Sequence, residues 1–188
     1  MGSDQAETEP GRIWLRIGII GGGEMCREML TKAFEHYKSK FVRGEYVAVA
    51  DPDEDAVGVA YADGASRGNP GPAAWGCVYT LEDGEPLCGE GATLGETTNN
   101  VAEYRGCIAA LERLKAWGVR KAIIRLDSEL VVKQLNGQYK VRQPHLKPLV
   151  AEALALRKAF AEVRIEHVPR KQNAVADGLA NAALDGTR

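Results

Sequence analysis

The chain has 188 residues, of which 45% are hydrophobic and 27% are charged, and its formal net charge is −2. Its length allows one sizeable core or one domain with an appendage, and its composition is typical of a soluble globular protein. The polar residues 1–11 lack the pattern of a secretion signal, and no apolar run reaches the roughly 18 residues of a membrane span. We expect residues 1–11 to be a disordered tail. The four cysteines show no C-x-x-C spacing, which disfavours a zinc site and, with no secretion signal, favours a cytoplasmic location.

Residues 12–54 have a composition and pattern of their own. A buried-strand pattern runs into Gly21 and Gly23, a helical pattern follows, and a second strand pattern ends at Asp51. This order resembles the first βαβ unit of a dinucleotide-binding domain. Cys26 stands where that fingerprint requires Gly or Ala, and no further βα unit follows. We interpret the segment as a small βαβ-like appendage of structural or docking role. A nicotinamide-dependent oxidoreductase built on it is an alternative reading of the chain.

Three successive strands are predicted after this segment, over residues 57–62, 74–81 and 86–94. A hairpin turn at 82–85 would join the last two, so the three form an antiparallel meander. Asp63 directly follows the first strand and precedes a loop of small, turn-forming residues. Asp and Gly are ordinary turn residues, so a surface turn is the alternative to a functional carboxylate here.

Two further acids lie in a predicted helix and at the end of a predicted fourth strand. The apolar spacing predicts a helix from Asn100, as N-cap, to Gly118, with Glu103 in its first turn. A capping box between Glu103 and Asn100 is the alternative to a functional role. The strand at 121–126 ends on Asp127. If it lies parallel beside the first strand, Asp63 and Asp127 meet at one edge and repel each other, which favours a bound divalent cation.

The remaining pattern predicts a short helix at 128–136, a helix at 146–160, a strand at 161–168 and a last helix at 173–184. Asp177 lies in the first turns of the last helix, away from its apolar stripe. Compensation of the helix dipole is the alternative explanation for an acid at that position.

Four motifs stand in order along the chain: YADGASRGNPGP, TTNNVAEYRG, LDSELVV and HVPRKQNAVADGLAN. As a set, over residues 57–184, they resemble type 1 ribonuclease H, of the ribonuclease-H-like superfamily. The resemblance implies a domain at 57–188 of the α/β class. Its fold would be a five-stranded mixed sheet of order 3-2-1-4-5 with helices on both faces.

The same resemblance implies a site. The catalytic and metal-binding acids carry over as Asp63, Glu103, Asp127 and Asp177. Two Mg²⁺ ions, with Mn²⁺ as a substitute, would share Asp63 and Asp127; Asp177 would serve the ion that activates water and Glu103 the other. No organic cofactor is implied. The substrate contacts carry over as Gly64, Ala65, Asn69, Thr98, Asn99 and Asn100.

The implied function is an endonuclease that hydrolyses the RNA strand of RNA/DNA hybrids regardless of base sequence, leaving 5′-phosphate and 3′-hydroxyl ends. We expect a monomer whose partner is the hybrid, with no membrane contact. Three alternatives stay open: a catalytically weak hybrid-binding module, a nuclease that cuts DNA or junctions, and the oxidoreductase named above.

The chain departs from the family pattern in two places. Well-known members carry a histidine in the loop before the last acid, whereas the loop from Arg170 to Ala176 has none. We take His167, on the preceding strand, as structural. The connection at 137–148 is too short for the basic protrusion of many members, and nearby cations would partly replace it: Lys133, Lys140, Arg142 and Lys147.

Overall fold

The computed structural model describes residues 12–16, 56–82 and 86–185. Its strands are β1 (Arg12–Arg16), β2 (Val57–Ser66), β3 (Gly71–Leu81), β4 (Pro86–Thr97), β5 (Lys121–Leu126) and β6 (Glu162–His167). Its α-helices are α1 (Asn99–Ala116), α2 (Glu129–Leu135), α3 (Lys147–Arg157) and α4 (Ala174–Asp185), with 3₁₀ turns at Pro144–Leu146 and Arg170–Gln172.

The strands form one mixed sheet of order β1-β4-β3-β2-β5-β6. Strands β2, β3 and β4 pair antiparallel, β5 pairs with β2 in parallel, and β6 pairs with β5 in parallel. Parallel neighbours require crossover connections, and helices α1 and α3 lie in those connections. Numbered from β2, the order is 3-2-1-4-5, so the predicted five-stranded arrangement is confirmed.

An additional strand extends this sheet beyond the prediction. Strand β1 pairs antiparallel with β4, with Trp14 opposite Glu90. The strand expected at the start of the N-terminal segment is therefore present, but its partner is the edge of the main sheet. The rest of the predicted appendage, including Gly21, Gly23 and Asp51, lies outside the described residues, as do residues 1–11 and the turn at 83–85.

Strand β2 runs further than the sequence pattern indicates. It was expected to end before Asp63, but antiparallel pairing with β3 continues as far as Ser66, opposite Ala73. The parallel pairing with β5 stops at Leu126. Asp63 therefore lies inside a strand, opposite Gly76, at the point where the parallel ladder ends.

Helix α1 begins two residues earlier than predicted. Strand β4 stays paired with β3 up to Thr97, so the helix starts directly after it and Thr98 is the N-cap. The Thr98 hydroxyl accepts the Val101 N–H at 3.4 Å, and Asn69 Oδ1 accepts the Asn99 N–H at 3.2 Å. The prediction of Asn100 as N-cap was wrong, because two other side chains satisfy the orphan N–H groups of the first turn.

The helices cover both faces of the sheet. Helix α1 buries Tyr104, Ile108 and Leu111 against one face, where α3 packs beside it, and α4 buries Leu179 and Ala183 on the other. The larger apolar cluster lies on the α1 side. No helix in the described part of the chain is both long and apolar enough to cross a membrane.

A buried ion pair ties the C-terminal half of α1 to the sheet. Glu90 of β4 is fully buried, and the Tyr79 hydroxyl donates to its carboxylate at 2.6 Å. Two guanidinium N–H groups of Arg113 donate to the same carboxylate, each at 3.3 Å. Because the charge is paired and its oxygens are hydrogen-bonded, burying it is tolerated.

Candidate active site

An open cavity of about 440 Å³ lies where the parallel pairing of β2 and β5 ends. All four predicted acids line it: Asp63 from β2, Glu103 from α1, Asp127 directly after β5 and Asp177 from α4. The other residues in its wall are Gly64, Ala65, Ser66, Asn99, Arg170 and Asn181. Four positions spread over more than a hundred residues thus share one pocket.

Asp63 is the most buried of the four acids, with 7% of its surface exposed. The Gly64 N–H donates to its Oδ1 at 2.8 Å, which favours the ionised form. Burial outweighs that bond, and together with the nearby charge of Asp127 it raises the pKa of Asp63 to about 8. The repulsion expected from the sequence is therefore present in the folded chain.

Glu103 is held by two side chains. Asn99 Nδ2 donates to its Oε1 at 2.9 Å, and the Ser128 hydroxyl donates to its Oε2 at 2.5 Å. Burial raises the pKa of Glu103 above its ordinary value, and the Ser128 hydrogen bond opposes that rise. The carboxylate thus points towards the end of β5 and the start of α2. In a capping box it would instead turn back to the N–H of Asn100.

Asp127 and Asp177 each have a defined partner. Asn173 Nδ2 donates to Asp127 Oδ1 at 3.1 Å. Arg170, whose side chain is 78% exposed, makes an ion pair with Asp177 at 2.9 Å. The charge of Asp177, followed by those of Asp63 and Asp127, raises the pKa of Arg170.

Two glycines set the distance between these acids. A Cβ on Gly64 would lie 2.1 Å from the Glu103 backbone nitrogen, and a Cβ on Gly76 would lie 2.4 Å from the Ala176 carbonyl oxygen. Helices α1 and α4 therefore rest directly on strand backbone, one on each face. This close approach brings the first turns of both helices to Asp63.

The predicted substrate contacts divide into two groups. Gly64, Ala65 and Asn99 line the cavity, whereas Thr98 and Asn100 lie outside its wall at the start of α1 and Asn69 lies in the loop between β2 and β3. Thr98 and Asn69 are engaged in capping that helix. His167 is exposed at the end of β6 and is not among the cavity residues.

Ser66, Ser128, Asn173 and Asn181 were not predicted as site residues from the sequence, and Arg170 was considered only as the start of the loop that lacks a histidine. Ser128 and Asn173 each directly precede a helix, where both residue types are ordinary caps. That position hid their contacts with Glu103 and Asp127, since side-chain direction cannot be read from residue spacing. The signal that could have found them is their closeness in sequence to Asp127 and Asp177.

The donor chemistry fits a hard divalent cation. Carboxylate oxygens are the ligands that Mg²⁺ and Mn²⁺ prefer, and the raised pKa of Asp63 shows negative charge that a cation would stabilise. In the described part of the chain no three acidic, histidine or cysteine side chains enclose a single point. In this structure Asp177 makes an ion pair with Arg170, and Glu103 accepts a hydrogen bond from Ser128.

Comparison with known proteins gives a consistent family. A family model described as reverse transcriptase-like matches residues 61–183. Ribonuclease HI of Halobacterium salinarum is 46% identical over 141 residues, which are 75% of this chain and 71% of that protein. The solved structure of LC11-RNase H1 in complex with an RNA/DNA hybrid is 43% identical, with a TM-score of 0.66, and the match covers 69% of this chain and 98% of that one.

A bifunctional protein of Mycobacterium tuberculosis is 46% identical over 125 residues, which are 66% of this chain. The chain spans only about a third of that relative, since the match covers 34% of its length. The N-terminal segment lies outside the family model, and nothing in these matches supports its likeness to a dinucleotide-binding unit. Because the family model matches residues 61–183 and nearly half of the aligned residues are identical to those of a ribonuclease HI, the chain belongs to the type 1 ribonuclease H family.

Proposed function

We propose that the chain hydrolyses the RNA strand of RNA/DNA hybrids in a reaction that depends on divalent cations. The observation that carries this proposal is the convergence of Asp63, Glu103, Asp127 and Asp177 on one cavity. Membership of the ribonuclease H family supports it, as does a relative solved with a hybrid. The products would be 5′-phosphate and 3′-hydroxyl ends.

The four carboxylates would hold two ions, Mg²⁺ or Mn²⁺. When bound, such ions supply Lewis-acid polarisation of the phosphate and lower the pKa of a water molecule. The chain supplies the acids in fixed positions: Asp63 is held by the Gly64 N–H and Glu103 by Ser128. These bonds reduce the reorganisation that the reaction would otherwise require.

Substrate recognition would use backbone and small polar groups. The strand at Gly64 and Ala65 carries little side-chain bulk at the cavity wall, so its backbone can approach the hybrid closely. Asn99 would read the minor groove and the 2′-hydroxyl that distinguishes RNA from DNA. Thr98 accepts a helix N–H through its oxygen and keeps its hydroxyl hydrogen to donate to a DNA phosphate. None of these contacts distinguishes one base sequence from another, so cleavage would be independent of sequence.

Arg170 begins the loop before Asp177, in which well-known family members carry a histidine and this chain has none. Its guanidinium stays charged at all working pH values and cannot relay a proton. Its ion pair with Asp177 at the cavity wall suits a different role, namely attraction of the scissile or released phosphate. We therefore assign it phosphate binding.

The proposal is tested by cleavage of a labelled RNA/DNA hybrid, duplex RNA and duplex DNA, with Mg²⁺, with Mn²⁺ and with EDTA. We expect cuts in the RNA strand of the hybrid only, in either metal. Asp127→Asn should lose measurable cleavage and be no less stable than wild type, because it relieves repulsion of Asp63.

The matched control is Asp185→Asn, an exposed acid at the far end of α4 that pairs with Arg67. It should cleave like wild type. Wild-type protein that binds the hybrid but never cuts it in either metal would support the binding-module alternative and end the enzyme proposal. Cleavage of duplex DNA would instead point to the alternative nuclease.

A further inference from the structure

Asn173 occupies an unusual place beside the acidic cavity. It directly precedes α4 and is fully buried, with 0% of its surface exposed. A residue at this position ordinarily caps the helix, with its side-chain oxygen accepting an N–H of the first turn. Its buried Oδ1, however, has no hydrogen-bond partner in the described part of the chain.

Both N–H groups of the Asn173 side-chain amide donate hydrogen bonds. Nδ2 donates to the Ala62 carbonyl oxygen at 2.9 Å and to Asp127 Oδ1 at 3.1 Å. One acceptor is the last residue of β2 in the parallel ladder, and the other is the acid that follows β5. The side chain thus joins the ends of two strands to the start of the helix that carries Asp177.

We propose that Asn173 is a positioning residue, whose two N–H donors fix the Asp127 carboxylate and hold the first turn of α4 against β2. This rests on the proposed function, since it concerns the geometry of the same acids. Only a primary amide of this length offers two donors to two acceptors from this position. Groups that orient metal-binding side chains typically contribute 10- to 100-fold to metal affinity or activity.

The decisive variants separate positioning from helix capping. Asn173→Ser keeps a good capping residue but removes both amide donors. Asn173→Asp keeps the size and an oxygen that could cap the helix but places a second carboxylate against Asp127. The matched control is Asn136→Ser, because Asn136 also donates its amide to a strand carbonyl, that of Ile165 at 2.9 Å, away from the cavity.

Four quantities are measured for each folded variant: kcat and KM on the hybrid, Mg²⁺ affinity by titration calorimetry, and the urea midpoint of unfolding. We expect about a 10- to 100-fold loss of kcat and a weaker Mg²⁺ affinity for Asn173→Ser, with KM for the hybrid little changed. Asn173→Asp should lose more activity than the serine variant. The control variant Asn136→Ser should have the kcat and the Mg²⁺ affinity of wild type. If Asn173→Ser had the same kcat and Mg²⁺ affinity as wild type, the two amide donors would not position Asp127, and the proposal would be overturned.

A double-mutant cycle on stability keeps the proposal testable without activity. Asn173→Ser, Asp127→Ala and the pair are compared by their urea midpoints in EDTA, because an alanine at position 127 removes the acceptor of the Asn173 amide. Direct contact predicts that the shifts are not additive, whereas additive shifts would contradict it. If the wild-type protein cut no hybrid, the proposed function would fail, yet the cycle and the Mg²⁺ titration would still decide the role of Asn173.

Discussion

Asp63 is the residue whose protonation is most strongly shifted by the fold. Burial and the charge of Asp127 raise its pKa from an ordinary 3.8 to about 8. The folded chain therefore binds a proton that the unfolded chain has already lost between these pH values. By linkage, the free energy of unfolding falls as pH rises through that window, and the contribution of Asp63 is complete only below it.

This shift predicts a pH-dependent stability in EDTA. Wild type should become less stable from pH 4 to pH 8, with a slope that Asp63→Asn reduces, because the amide has no proton to lose. Urea unfolding across this range measures both curves, and saturating Mg²⁺ should flatten the wild-type curve. An equal slope in wild type and variant would show that other groups cause it.

Ser128 is a second residue whose contact with an acid can be tested. Its hydroxyl donates to Glu103 and opposes the rise in the pKa of that acid. Ser128→Ala should therefore raise the pKa of Glu103 further and move the acidic limb of the pH–rate profile to higher pH. Ser128→Thr retains a hydroxyl and is the control. A profile that is identical in Ser128→Ala and wild type would contradict this role.

At the scale of elements, the contact between α1 and β2 is made by backbone. Gly64→Ala would place a methyl group 2.1 Å from the Glu103 nitrogen, and neither backbone can yield by that amount without moving the helix. We expect a loss of at least about 1–3 kcal/mol in unfolding free energy, together with a large loss of activity.

The matched control lies in the same strand and on the same face. Gly58→Ala would place its methyl group 2.7 Å from a terminal methyl of Leu114, which is a flexible side-chain end. It should cost less stability and leave kcat close to wild type. Equal losses of kcat in the two variants would show that overpacking in general, rather than displacement of Glu103, is the cause.

The sequence predicted these elements well where periodicity controls them and less well at their ends. The individual strands and helices came from periodicity, whereas the strand order and the set of four site acids came from the resemblance of four motifs to type 1 ribonuclease H. The end of β2 and the cap of α1 did not, because each is decided by pairing with β3, a long-range contact. The partners of Glu103 and Asp127 were missed for a similar reason: Ser128 and Asn173 have the composition of caps, and only tertiary structure shows where their side chains point.

At the scale of the whole molecule, the outer edge of β4 is covered by β1. The cavity lies among β2, β5, α1 and α4, with β3 and β4 between it and β1. We predict that a chain lacking residues 1–54 still cleaves the hybrid with unchanged kcat but has a lower urea midpoint. Loss of cooperative unfolding in this truncated chain would show that the N-terminal segment belongs to the core.

The same truncation tests the expected monomeric state. Exposed edge strands pair readily with other chains, so removal of β1 should promote self-association through β4. Sedimentation velocity over a range of concentrations should show a monomer for the full chain and concentration-dependent association for the truncated one. Association of the full chain under the same conditions would overturn the expected monomer.

The cytoplasmic location stays a prediction.

The carboxylate buried between β4 and α1 has an evolutionary consequence. Glu90 is fully buried, and its charge is balanced by Arg113 and its oxygen accepts a hydrogen bond from Tyr79, so replacement of Arg113 by an apolar residue would leave a buried carboxylate without this ion pair. Natural descendants of this sequence are therefore expected to change positions 79, 90 and 113 in concert, most simply to an all-apolar set. An alignment of close homologues in which these three columns drift independently would show that the interior accommodates the orphaned charge by some other route.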